Sequence, residues 1–165
     1  MHVVSDTSPL SCLASIQRLD LLAEQFGRVY VPPAVKIEAM RHPNPGASDS
    51  LDEGFDKGWI VEDSTTELLP LILFLKRTLD QGESEAISLA VNRHAEILLI
   101  DEREGREAAR GLGVRLTGTL GILMRAKLDG SLNSLGETLE KLRKNYAFSL
   151  APGLVERALH QVGEV

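Results

Sequence analysis

The chain has 165 residues, 43% of them hydrophobic and 25% charged, which is the composition of an ordinary globular protein long enough to bury a sizeable core. A net charge of −6 argues against a passive nucleic-acid coat, and a single cysteine rules out an intrachain disulfide. No apolar stretch reaches the ~20 residues that span a bilayer, and no basic stretch followed by an apolar run opens the chain, so a cytoplasmic protein is expected.

In chain order, Val3-Val4-Ser5 reads as a short strand, and Pro9 to Phe26 as helix in two pieces broken near Gln17. Arg28 to Val31 is a second strand, bounded by Gly27 and Pro32-Pro33, and Pro33 suits the first turn of a helix that runs to Arg41. Arg41 to Ser50, with Pro43, Pro45 and Gly46, reads as a connection, followed by a short helix over Leu51 to Lys57 and a strand over Trp59 to Glu62. Helices are expected over Glu67 to Leu79 and Glu83 to Arg93, then a strand of four aliphatics, Ile97 to Ile100. A helix over Arg103 to Gly111 and a strand over Val114 to Thr117 follow, with helices at Leu120 to Leu128, Ser134 to Lys144 and Pro152 to Val162. Strands alternating with helices predict a three-layer α/β/α fold around a central, mostly parallel sheet, as one domain over residues 1–165. Within it, 134–165 reads as core packing or as an appended element for contact with a partner; Leu135, Leu139 and Leu142 give that stretch an apolar stripe.

Open parallel sheets bind ligands beyond the carboxyl ends of their strands. Asp6 closes Val3-Val4-Ser5 and Asp101 closes Ile97 to Ile100, so the two meet at one rim if those strands are neighbours. Either acid could instead cap the helix that follows it. Glu38 lies on a helix near the apolar face set by Val35 and Ala39, where a surface role is the plainer reading. At 100° per residue Ala86, Ile87 and Ala90 share a face with Glu83, while Glu85 points roughly 160° away. Glu83 therefore leans toward the sheet and Glu85 toward solvent. Carboxylates gathered at one rim repel each other and raise each other's pKa, a conflict that a shared Mg²⁺ or Mn²⁺ would resolve. His2, His42, His94 and His160 show no metal-ligand spacing, Cys12 reads as core packing, and no Walker-type phosphate loop is present.

Val4-Ser5-Asp6-Thr7-Ser8-Pro9-Leu10 resembles the opening motif of PIN-domain proteins, a strand ending in Asp followed by small hydroxyl residues. Val31 to Glu38 resembles their second motif, and Gly82-Glu83 through Ile97 to Asp101 their third and fourth. Measured from Glu83, the apolar positions three, four and seven residues on are Ala86, Ile87 and Ala90; measured from Glu85 they fit less well. Gly118 to Leu123 and the ending Gly163-Glu164 resemble a toxin-type prokaryotic subgroup of the family.

The resemblance implies metal-dependent hydrolysis of phosphodiesters, most often RNA, with Asp6, Glu38, Glu83 and Asp101 as metal ligands and catalytic acids. Glu85 and Glu102 are weaker candidates for the third and fourth acid. Ser8 and Thr119 would support the ligands or the substrate, or cap local backbone, and Arg103, with Arg106 and Arg110, would meet the RNA backbone or form an ion-paired solvated face. The resemblance also implies a homodimer and an antitoxin protein as partner. The alternatives are a non-catalytic PIN-fold module that binds nucleic acid or protein, and an aspartyl-phosphate phosphatase; the latter lacks a second Asp two residues after Asp6.

Overall fold

The structure, a computed structural model, describes residues 1–64 and 69–165. It begins with strand β1 (Val3–Ser5), helix α1 (Thr7–Ser15) and helix α2 (Asp20–Phe26), the two helices parted where Gln17 takes a φ of 58°. Next come β2 (Val29–Val31), α3 (Pro33–Met40), α4 (Pro45–Asp56) and β3 (Ile60–Glu62). Then follow α5 (Leu69–Leu75), α6 (Gln81–Asn92), β4 (Ile97–Leu99), α7 (Arg103–Gly111) and β5 (Leu116–Thr117). Helices α8 (Thr119–Leu128), α9 (Leu135–Tyr146) and α10 (Pro152–Gln161) complete the chain. The expected helix from Glu67 begins on residues outside the described ones, and its described part is α5.

The strands form one parallel sheet in the order β3-β2-β1-β4-β5, flanked by helices in a three-layer α/β/α arrangement. Val3 and Val4 of β1 and Leu98 and Leu99 of β4 are fully buried, as expected for central strands covered on both faces. Val3 pairs with Ile97 and Ser5 with Leu99, so β1 and β4 end side by side. This register brings Asp6 and Asp101 to one rim. Among the described residues no helix is long and apolar enough to cross a membrane.

Two expectations need correction. The stretch from Arg41 to Ser50 is mostly helix, because α4 starts at Pro45. The Asn44 side chain accepts hydrogen bonds from the Gly46 and Ala47 amides, and proline at the first helical position loses no internal bond. Ala47 and Leu51 then bury one face of the helix. The last strand is also shorter than expected: only Leu116 and Thr117 pair, at the open edge of the sheet beside β4.

The C-terminal helices pack into the domain. Leu135 and Leu142 are fully buried, Leu139 nearly so, and α9 lies against α1 and α8. Glu164 closes this region by accepting hydrogen bonds from the Leu135 and Gly136 amides at 2.6 and 3.1 Å, with Lys127 3.6 Å away. A carboxylate there satisfies two amides that the first turn of α9 leaves open, and it faces the positive end of the helix. Replacing Glu164 with Ala is expected to cost about 1 kcal/mol, read as a thermal midpoint lower by roughly 2–4 °C. An unchanged midpoint would show that this clasp adds nothing to the fold.

Candidate active site

The sharp turn out of β1 places Asp6 at the head of α1, with its amide donating to the Leu99 carbonyl at 2.8 Å. Asp6 holds the N-cap position, yet its side chain makes no capping hydrogen bond. The carboxylate is 4% exposed and turned toward other acids. Burial, reinforced by the nearby Glu83, Asp80 and Glu38, pushes it up to about 8.

Glu83 is likewise buried. A capping box holds it: its amide donates to Asp80 Oδ1 at 2.8 Å, and its Oε1 receives the Asp80 amide at 3.4 Å. Its Oε2 is buried with no hydrogen-bond partner among the described residues. Burial and then the Asp80 charge push Glu83 up to about 7. Glu85 points elsewhere, accepting from the Ala34 amide at the start of α3 and from Gln81. The helical phase of α6 thus directs the two glutamates to different neighbours.

Glu38 is held by the Thr7 hydroxyl, which donates to its Oε2 at 2.8 Å. Asp101 receives three donors: the Ser8 hydroxyl at 2.8 Å, and the Thr119 amide and hydroxyl, each at 2.7 Å. Asp101 therefore does not cap the helix that follows it; it is clamped to the start of α8. Ser8 and Thr119 neither cap local backbone nor point at open space, but orient this carboxylate. Arg103 is largely exposed and paired with Glu107, which is the solvated reading of that basic set. Arg106 turns inward instead, donating to the Ile100 carbonyl at 2.8 Å. Cys12 is core, and burial pushes its thiol up to about 12, so it is no nucleophile at neutral pH.

Three glycines make this packing possible. A Cβ on Gly82 would stand 2.7 Å from Glu38 Oε1, one on Gly105 2.7 Å from Glu83 Oε2, and one on Gly118 2.6 Å from Asp101 Oδ1. Each carboxylate thus occupies space that any other residue would fill.

Asp6, Glu38, Asp80 and Glu102 line a cleft of about 290 Å³ closed on one side by Tyr146, which stacks on His42 at 5.4 Å. Glu83 lies buried near Asp6, and Asp101 opens onto an adjoining cleft. Asp80 and Arg106 are thus additional groups at the site. Asp80 stands three residues before Glu83, so the capping-box spacing was the signal that marks it. Among the described residues no three His, Cys, Asp or Glu side chains already form a closed metal-binding group. The donors are nonetheless those a hard divalent cation takes: oxygens only, two of them on carboxylates that repel, one an orphaned buried Oε2.

A family model for a PIN domain, DUF3368, matches residues 2–164. The chain belongs to the PIN-domain family. PIN domains are usually nucleases and generally use divalent metals. A PilT N-terminus domain protein from the hyperthermophilic archaeon Sulfolobus solfataricus P2 is similar in structure, with a TM-score of 0.54 and 19% sequence identity over 81% of this chain and 96% of that one. At that identity the likeness speaks for the fold. No curated protein matches the chain. Membership in the PIN family gives the chain a nuclease-type fold.

Proposed function

We propose that this PIN domain is a metal-dependent ribonuclease that hydrolyses phosphodiester bonds at the acidic cleft. The observation that carries the reading is the burial of Asp6 and Glu83 beside other carboxylates at the carboxyl rim of the sheet, with Glu83 Oε2 left without a hydrogen-bond partner among the described residues. Two acids held at such a cost to their ionised forms mark a functional site more than a packing solution.

Asp6 and Glu83 would hold a Mg²⁺ or Mn²⁺ ion, Asp101 would join them in the orientation set by Ser8 and Thr119, and Glu38 would complete the ring from its Thr7 contact. When bound, the cation supplies an acidified water and neutralises charge growing on the phosphoryl oxygens. Without it, Asp6 and Glu83 retain protons near neutral pH and give them up as the site is filled. Glu102, exposed on the wall of the cleft, would border the bound substrate.

The apolar side chains of Ile37 on α3 and of Leu69, Leu73 and Phe74 on α5 are exposed, and the three on α5 support a protein partner there; a second copy of the chain is the partner we propose. The toxin role and the antitoxin enter through the family resemblance. Sedimentation of the purified chain as a dimer is the expected result.

The test of the activity is cleavage of single-stranded RNA with Mn²⁺ and with EDTA. Cleavage that appears with Mn²⁺ and vanishes with EDTA is expected. Absence of cleavage with Mn²⁺ or Mg²⁺, together with no thermal stabilisation by either ion, would favour the non-catalytic module.

A further inference from the structure

A second groove, of about 590 Å³, runs alongside the acidic cleft toward β5 and α8. The two share Ser8, Glu102, Ala147 and Phe148, so they are continuous, with the chain at 147–148 dividing them. The groove lies within the ~300–1,000 Å³ range of small-molecule sites. Its character differs from that of the acidic cleft. Leu116, Leu120 and Met124 give it an apolar wall, and Arg106 supplies a cation close to Asp101.

Three features indicate a built site. Arg106 is half-buried, its guanidinium fixed on the Ile100 carbonyl, and among the described residues no carboxylate lies within ion-pair distance of it. The same glycine that admits Asp101 admits this arginine: a Cβ on Gly118 would stand 2.9 Å from Arg106 Nη1. The third feature is Ala147, which ends α9 with a φ of +54°, a conformation that residues with a Cβ seldom adopt outside Asn and Asp. That turn sends the chain across the divide and sets Phe148, only partly buried, on the border of both clefts.

An acidic chain that cuts a polyanion needs a local cation, and Arg106 provides it beside the carboxylates. An aromatic ring next to an apolar wall is what an unstacked base takes. We propose that this groove seats the nucleotide next to the scissile phosphate, with its base between Phe148 and the Leu120–Met124 wall and its phosphate on Arg106. The inference rests on the nuclease reading and adds to it the side chains that hold one base and its phosphate beside the cleft; a base paired within a duplex cannot enter.

Binding separates the two claims. The probe is a fluorescein-labelled single-stranded RNA decamer, followed by anisotropy in EDTA, where nothing is cleaved, with the same sequence as a duplex for comparison. The native chain is expected to prefer the single strand. Phe148→Ala is expected to weaken its binding by about 5- to 100-fold, Phe148→Trp to retain it, and Arg106→Gln to weaken it and flatten its salt dependence. Circular dichroism melts establish that each variant is folded. Native-like binding by folded Phe148→Ala and Arg106→Gln overturns the proposal even if RNA is cleaved with Mn²⁺. So does a native chain that binds no single strand, which would leave the groove to a protein segment. Binding that behaves as expected without any Mn²⁺-dependent cleavage would sink the nuclease reading and keep the groove.

Discussion

Asp6→Asn is expected to lower RNA cleavage by more than about 10²-fold and, at the same time, to make the metal-free protein more stable at pH 8. The first half follows from position. Asp6 sits at the meeting of β1 and β4, faces Glu38, Glu83 and Asp80, and would be a direct ligand of the cation rather than a support for one. The loss should therefore exceed the ~10- to 100-fold that removing a supporting partner costs. The second half follows from what the carboxylate lacks. It makes no capping hydrogen bond, the Thr7 amide that favours its charge can serve an asparagine oxygen as well, and burial among three acids opposes its charge. A rise from 3.8 to about 8 corresponds to a penalty on the order of several kcal/mol for the ionised form. Asparagine has the same shape and no charge, and its amide can donate to those acids. Recovery of about 1–3 kcal/mol would raise the melting midpoint by roughly 2–10 °C. Cleavage assays with Mn²⁺ and thermal melts in EDTA at pH 8 read the two halves separately. A variant less stable than the native chain under those conditions would mean that Asp6 is held by partners and is not in conflict with its neighbours.

Metal-free protein should lose stability as the pH rises from about 4 to about 8, against the common trend for acidic groups. Asp6 and Glu83 carry raised pKa values in the fold, about 8 and about 7, against 3.8 and 4.5 as ordinary side chains. Between those limits these two groups bind more protons in the native state than in the unfolded state, so their contribution to the unfolding free energy falls with rising pH. Below about 4 both states are protonated at these two groups and the penalty is absent; above about 8 it is present in full. A divalent cation reverses the sign of the conflict, since it binds the ionised carboxylates. At a concentration ~100 times its dissociation constant it contributes about 2.7 kcal/mol, or roughly 5–10 °C for a chain of this size. The midpoint shift produced by Mn²⁺ should therefore be much larger at pH 8 than at pH 5.5, where protons compete for the same oxygens. Equal shifts at the two values would place the ion somewhere other than on Asp6 and Glu83.

The elements that sequence reading placed well are those governed by local pattern. Val3-Val4 and Ile97 to Ile100 are unbroken aliphatic runs ending in acids, and they are the two adjacent central strands. The choice of Glu83 over Glu85 drew on helical period and on the spacing of the apolar residues that follow, and the two side chains do point to different neighbours. Local pattern failed where a single capping residue outweighs composition. Pro43, Pro45 and Gly46 read as loop, yet Asn44 turns the stretch into the start of α4. It failed too where contacts span the chain. Ser8 and Thr119 reach Asp101 across separations of 93 and 18 residues, and nothing in a short window announces that both hydroxyls serve one carboxylate. The same holds for the arginines of α7: spacing groups Arg103 with Arg106, but only the packing of that helix turns the second inward.

Gly82, Gly105 and Gly118 carry a consequence for how this centre tolerates change. Some of its sensitive positions bear no chemistry, Gly105 and Gly118 above all, where an added Cβ would also press on Ile100. A methyl group at any of the three would leave every acid in place along the chain and still evict a carboxylate oxygen from its seat. A designer transplanting the four acids onto another scaffold would therefore have to transplant three voids with them, and a related chain that retains the acids but fills a void would carry the ligands without their geometry.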